Sequence, residues 1–158
     1  MKPFAITKGG VPIAAWILKG DPKVFDIDAA LDGGTIEDWS VHPSYRLDLL
    51  GEGQRCFLWR SGPDAALVAE GHVTGPVYER EANVENWEDQ EQARRTRHFL
   101  PVELRPLATE VTRDELRLAP GLARIEVLRA VRMGNPTVVT PDELEVIEDL
   151  VGRADPGI

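Results

Sequence analysis

Ile13-Ala14-Ala15-Trp16-Ile17-Leu18 is an apolar run with no polar interruption, and Lys19-Gly20-Asp21-Pro22 closes it. A strand wet on one face alternates apolar and polar residues, whereas a run apolar at every position suits a strand covered on both faces. The stretch is therefore predicted as a buried strand ending in a turn. Arg55 to Arg60 reads as a second strong strand, with two aromatics, closed by Ser61-Gly62-Pro63-Asp64. Ala66 to Val73 is a third, placed to pair with it as a hairpin. Upstream, Val24, Ile27, Ala30 and Leu31 recur at helical spacing and stop at Gly33-Gly34. A short strand from Ile36 to Val41 ends at His42-Pro43, and Tyr45, Leu47, Leu49 and Leu50 form a turn or short strand.

Residues 76–96 are acidic and irregular, which predicts a long loop of the kind that carries function. Within His98 to Leu107, Leu100, Val102 and Leu104 alternate with Pro101, Glu103 and Arg105, a fourth strand that Pro101 would place at a sheet edge. Thr112-Arg113-Asp114-Glu115 and Thr140-Pro141-Asp142-Glu143 are capping boxes that open two helices. Between them Leu122, Ile125, Leu128 and Val131 recur every three residues, which suits a helix, while Ile125-Glu126-Val127 equally suits the start of a strand. The order is β, α, several strands, then helices. That order predicts one α+β domain built around an antiparallel, barrel-like sheet, and 158 residues suffice for its core.

Composition narrows the chemistry. Cys56 is the single cysteine, so an internal disulfide is excluded, and it reads as a small core residue. His42, His72 and His98 stand singly, without metal-ligand spacing, so no metal site is expected. No signal peptide and no apolar run of membrane-spanning length is present in the sequence, and a cytoplasmic location with no membrane partner is the expectation. Net charge is −9, which opposes indiscriminate binding to duplex nucleic acid. The charges are nonetheless segregated, with Glu79 to Glu91 acidic and Arg94, Arg95, Arg97, His98 and Arg105 basic after it. Ser61 lies in no nucleophile elbow, and Lys8-Gly9-Gly10 precedes a strand, where a phosphate-cradling loop must follow one. Nothing proposes catalysis or a cofactor.

Four tryptophans against four phenylalanines is an unusual balance. Trp16 sits mid-strand and suits the core, whereas Trp39 and Trp59 approach strand ends with polar residues following. Trp87 has Glu85, Asn86, Glu88 and Asp89 around it, so no apolar periodicity explains it. Each ring either caps the core or faces a ligand. A nucleobase suits such rings, because an aromatic face stacks on any base for about 1–3 kcal/mol. Extracting a base from a duplex costs a few kcal/mol, so phosphate contacts must add affinity. Lys19, Arg60 and the cluster from Arg94 to Arg97 are the candidates, with Ser61 and Gly62 placed to read a base edge.

Four segments carry a resemblance. Ala15-Trp16-Ile17-Leu18-Lys19-Gly20-Asp21-Pro22, Trp39-Ser40-Val41, and Phe57-Leu58-Trp59-Arg60-Ser61-Gly62 with Val68-Ala69-Glu70-Gly71-His72-Val73 come first. Met133-Gly134-Asn135-Pro136 with Thr140-Pro141-Asp142-Glu143-Leu144 follows. In this order and spacing the chain resembles the EVE domain over about residues 12–152. The resemblance implies a PUA-like β-barrel with flanking helices, similar to the YTH readers of methylated adenine. It further implies a non-catalytic reader of a modified base in DNA or RNA, methylated or hydroxymethylated cytosine among them. By that analogy Trp39 is one stacking wall and Trp87 a second. Ser61 and Gly62 form the pocket floor and Lys19 its rim; Ser40, Trp59, Arg60 and Asn135 lie in the matching segments, and Arg97 in the basic cluster. Two other readings stand beside it: a binder of a free small molecule such as a modified nucleoside, and an enzyme using the same pocket. Trp39→Ala is expected to abolish base binding with the fold intact.

Overall fold

Alternate residues of β3 (Ala15–Gly20) serve two different cores. Trp16 and Leu18 join Cys56 and Leu58 in one cluster, while Ala15 and Ile17 join Phe57 and Trp59 in another. None of these side chains is more than 3% exposed, which is why both stretches are apolar at every position. Burial pushes the Cys56 thiol up to about 12, against the pull of Arg55, so it is a packing residue and not a nucleophile.

The computed structural model describes residues 5–81, 88 and 96–154. β1 (Ala5–Ile6) and β2 (Pro12–Ile13) form a small hairpin. β3 is followed by α1 (Ile27–Asp32), β4 (Ile36–Val41), a 3-10 turn (Tyr45–Leu49), β5 (Arg55–Arg60), β6 (Ala66–Val73), β7 (Tyr78–Glu81) and β8 (Thr96–Thr112). α2 (Arg113–Leu118), α3 (Glu126–Arg129), β9 (Thr137–Val139) and α4 (Pro141–Ala154) complete the chain. The main sheet runs β4-β8-β6-β5-β3-β9, with β7 also on β8. β3 and β5 are parallel and the other pairs antiparallel, so the sheet is mixed. It curls into a half-barrel. α1 packs with the inner cluster through Ile27 and Leu31, and α2, α3 and α4 cover the outer one through Leu116, Val127 and Ile147. This is the PUA-like α+β architecture that the resemblance implied.

Asn135 stitches the two sheet margins. Its carbonyl accepts from His42 N at 2.8 Å just beyond β4. Its side-chain amide donates to Lys19 O (2.8 Å) and Ser40 O (3.3 Å), and its Oδ1 accepts from Lys19 N (2.5 Å). One side chain thereby satisfies backbone groups that the curled sheet leaves without ladder partners.

Both N-caps form, the second as a full capping box. Thr112 Oγ1 accepts from Glu115 N (3.2 Å) at α2. Thr140 and Glu143 exchange reciprocal bonds at α4 (3.3 and 2.9 Å). The 122–131 segment forms only the four-residue α3. Its first residue, Glu126, accepts from Arg46 (2.5 and 3.0 Å) and from Val138 N (2.9 Å), tying the 3-10 turn, α3 and β9 together.

Three expectations need correction. Residues 76–96 are not all loop, because Tyr78–Glu81 pairs with β8. The fourth strand runs for 17 residues, well beyond 98–107, because three successive partners cover it. Pro101 is not at an edge: β8 lies between β4 and β6. Its nitrogen faces away from β4, toward Thr74 just past the end of β6, where only the return bond from Thr74 N to Pro101 O (2.9 Å) is made. No described helix is long and apolar enough to cross a membrane.

Candidate functional site

The end of β3, the segment leading into α1 with Ala30 of that helix, and the strand β4 line a cleft of about 590 Å³, with β7 and β8 contributing Arg80, Arg97 and Phe99. That volume lies within the range of small-molecule sites. Trp39 forms its inner wall. The indole is 8% exposed, Nε1 donates to Lys19 O (3.0 Å), and Phe25 packs on it edge-to-face at 5.3 Å. Gly20 makes this placement possible. A Cβ there would lie 2.6 Å from the indole and 2.7 Å from Ile27 Cδ1. Gly20→Ala is therefore expected to displace the indole and lower stability by about 1–3 kcal/mol, read by urea denaturation.

The opposite rim is built on Asp38. Arg80 Nη2 reaches both of its oxygens at 2.9 Å, Arg80 Nε bonds it at 3.0 Å, and the Tyr78 hydroxyl donates to it. Burial first, then Asp38, raises the Tyr78 pKa and keeps that hydroxyl a donor. The Arg80 guanidinium carbon lies 3.9 Å from the Phe99 ring centroid, a cation–π contact. β4 is the outer strand of the sheet, and its Ser40 carbonyl and His42 amide point away from β8 toward Asn135. Peptide groups two residues apart in a strand point the same way, so the N–H and C=O of Asp38 face the same edge, beside the cleft. Asp21, Glu37 and Asp38 line it together with Arg80 and Arg97, while the Lys19 ammonium turns to Ala130 O and Val131 O. A lining of both charge signs suits a planar polar group better than a bare anion.

The expected site residues divide. Lys19, Trp39, Ser40 and Arg97 line this cleft, with Asn135 bonded behind it. Trp59, Ser61 and Gly62 line a second hollow of about 350 Å³, and Lys19 belongs to both. Trp59 is 3% exposed and packs in the outer core, so it contributes an edge there and no open face. Ser61 is tied to Gly20 O through N and Oγ (2.9 and 3.0 Å). Arg60 lies elsewhere, held by both Glu110 oxygens (2.6 Å each), Asp28 (3.2 Å) and Asp64 O. Any ligand of Arg60 must compete with two carboxylates. Trp87, Arg94 and Arg95 lie outside the described residues. Glu88, next in sequence to Trp87, donates its N–H to Val24 O, and Val24 lines the cleft. Phe25, Asp38, Arg80 and Phe99 were not anticipated. The one available signal was Arg80, a lone cation between Glu79 and Glu81.

No three His, Cys, Asp or Glu side chains among the described residues are grouped to hold a metal ion. Residues 14–150 match the sequence profile of the EVE domain. The chain belongs to the EVE domain family. A search of curated proteins finds no match. Several solved structures share the EVE architecture seen here. Rpa0253 of Rhodopseudomonas palustris is 20% identical, with TM-score 0.61, over 89% of this chain and 94% of that one. The human THYN1 protein, solved with DNA containing 5-methylcytosine, is 14% identical, with TM-score 0.58, over 87% and 96%. An ASCH protein of Zymomonas mobilis is 12% identical, with TM-score 0.57, over 87% and 98%. At these identities the likeness is one of fold.

Proposed function

We propose that this EVE domain is a non-catalytic module that takes a modified base of a nucleic acid into the Trp39 cleft. The observation that carries it is the meeting, around one hollow, of the Trp39 indole, the outer strand β4 and side chains of both charge signs. Trp39 supplies one stacking wall. The Asp38 peptide and Ser40 read the polar edge of the base. Human THYN1, of similar fold, was solved with 5-methylcytosine DNA, which makes that base the first to test.

The module acts on single-stranded or locally opened sites. Its net charge of −9 repels a duplex, and an unpaired base avoids most of the extraction cost of a few kcal/mol. The carboxylates in the cleft wall favour a free modified nucleoside as the second reading, and salt separates the two. Tryptophan fluorescence titrations with modified and unmodified oligonucleotides are expected to show tighter binding of the modified strand. Affinity should fall as salt rises, whereas a nucleoside lacking phosphate should bind almost independently of salt. Equal binding of modified and unmodified strands refutes the reader function, and a salt-independent oligonucleotide affinity favours the free nucleoside.

A further inference from the structure

The second hollow differs electrically from the Trp39 cleft and from the hollow around Arg60. Its charged lining residues are Lys19, Arg113 and Arg117, with no carboxylate, in a chain of net charge −9. The Trp39 cleft and the hollow around Arg60 both carry carboxylates in their walls. Arg113 and Arg117 are four apart on α2, so they share a helix face. Arg113 Nη2 donates to Gly62 O (2.7 Å), which fixes that guanidinium at the Gly62 turn. Arg117 Nη1 lies 3.8 Å from Asp114 Oδ1, a solvent-exposed pair of little strength. Lys19 completes the set. Its peptide belongs to the wall of the first cleft, but its Nζ turns to Ala130 O and Val131 O (3.3 Å each) at the second hollow. Burial lowers the Lys19 pKa, with Glu126 acting against that, so an anion in the hollow would restore stabilisation that the ammonium lost with its water.

We propose that this hollow is an anion site that receives one phosphate group of the strand whose base occupies the Trp39 cleft. The assignment rests on the base-binding function above. Lys19, shared by the two hollows, sets their adjacency: base on one side of the β3 end, phosphate on the other. Such a contact supplies affinity without sequence information, which a base cage alone lacks. It also leaves Arg60 with its carboxylates.

The test is an NMR titration of the full chain, following backbone amides, arginine Nε–H groups and the tryptophan indoles. Inorganic phosphate is expected to shift the Gly62 amide and the Arg113 and Arg117 signals saturably, with no shift at the Trp39 indole. Arg113→Gln with Arg117→Gln should remove that response. The same double variant should weaken binding of a 5-methylcytosine oligonucleotide about tenfold and flatten its salt dependence, yet leave 5-methyl-2′-deoxycytidine binding unchanged. No saturable shift with phosphate, or an oligonucleotide affinity and salt slope unchanged in the double variant, overturns the site. Phosphate shifts at Gly62 with a silent Trp39 indole under every base-bearing probe overturn the strand assignment through failure of the base-binding function, a result distinct from failure of the anion site.

Discussion

Trp39→Ala is expected to lose base binding entirely and, at the same time, about 3–5 kcal/mol of stability. The sequence alone suggested that binding would vanish with the fold intact, but the indole is only 8% exposed and belongs to the inner core cluster. Removing it empties the space between Gly20, Ile27 and Phe25 and leaves one fewer donor on Lys19 O. Alanine therefore confounds packing with recognition. Trp39→Phe separates them. It keeps most of the ring volume, loses the bond to Lys19 O and its roughly 0.5–1.5 kcal/mol, and narrows the stacking face. Urea denaturation should show a small loss for phenylalanine and a large one for alanine. Calorimetric titration with a modified oligonucleotide should show weakened binding in the first and none in the second.

Glu126→Gln should cost about 3–5 kcal/mol, because it strands the Arg46 guanidinium at a site where the two side chains are only 14% and 10% exposed. Burial alone would push the Glu126 carboxyl up. Bonds from Arg46 and Val138 N, with the charges of Arg46 and Arg129, outweigh it and hold the carboxyl below its usual range. The sign follows from proton counts. Between the lowered folded pKa and the ordinary value of 4.5, the unfolded chain binds more protons than the folded one, so stability rises with pH there. The stabilisation is complete above that window and is lost as pH falls through the folded pKa. The gap between wild type and Glu126→Gln in denaturant midpoint should therefore be widest near neutrality and close in acid.

Local chemistry made much of the fold legible. β4, β5 and β6 begin and end where alternation, apolar runs and turn residues place them, and both capping boxes open helices. What escaped was set by distant partners. β9 is three residues long and exists because β3 offers it an edge. β8 continues past Leu107 because β6 carries it to Thr112. The candidate site follows the same division. Lys19, Trp39, Ser40 and Arg97 do meet at one cleft. Ser61, Gly62 and Trp59 fall in another, since nearness to a strand end does not say which side of a curled sheet a residue meets. The Asp38–Arg80–Phe99 assembly spans three strands and has no local signature. Asn135 carried only a motif match, yet it bonds both sheet margins.

A structure of the protein bound to an oligonucleotide carrying one 5-methylcytosine examines the cleft directly. The methylated base should be turned out of its strand into the hollow, in contact with Trp39 and with its polar edge at the Asp38 peptide. A base seated away from Trp39, or a strand bound with that base still stacked on its neighbours, would contradict the reader function.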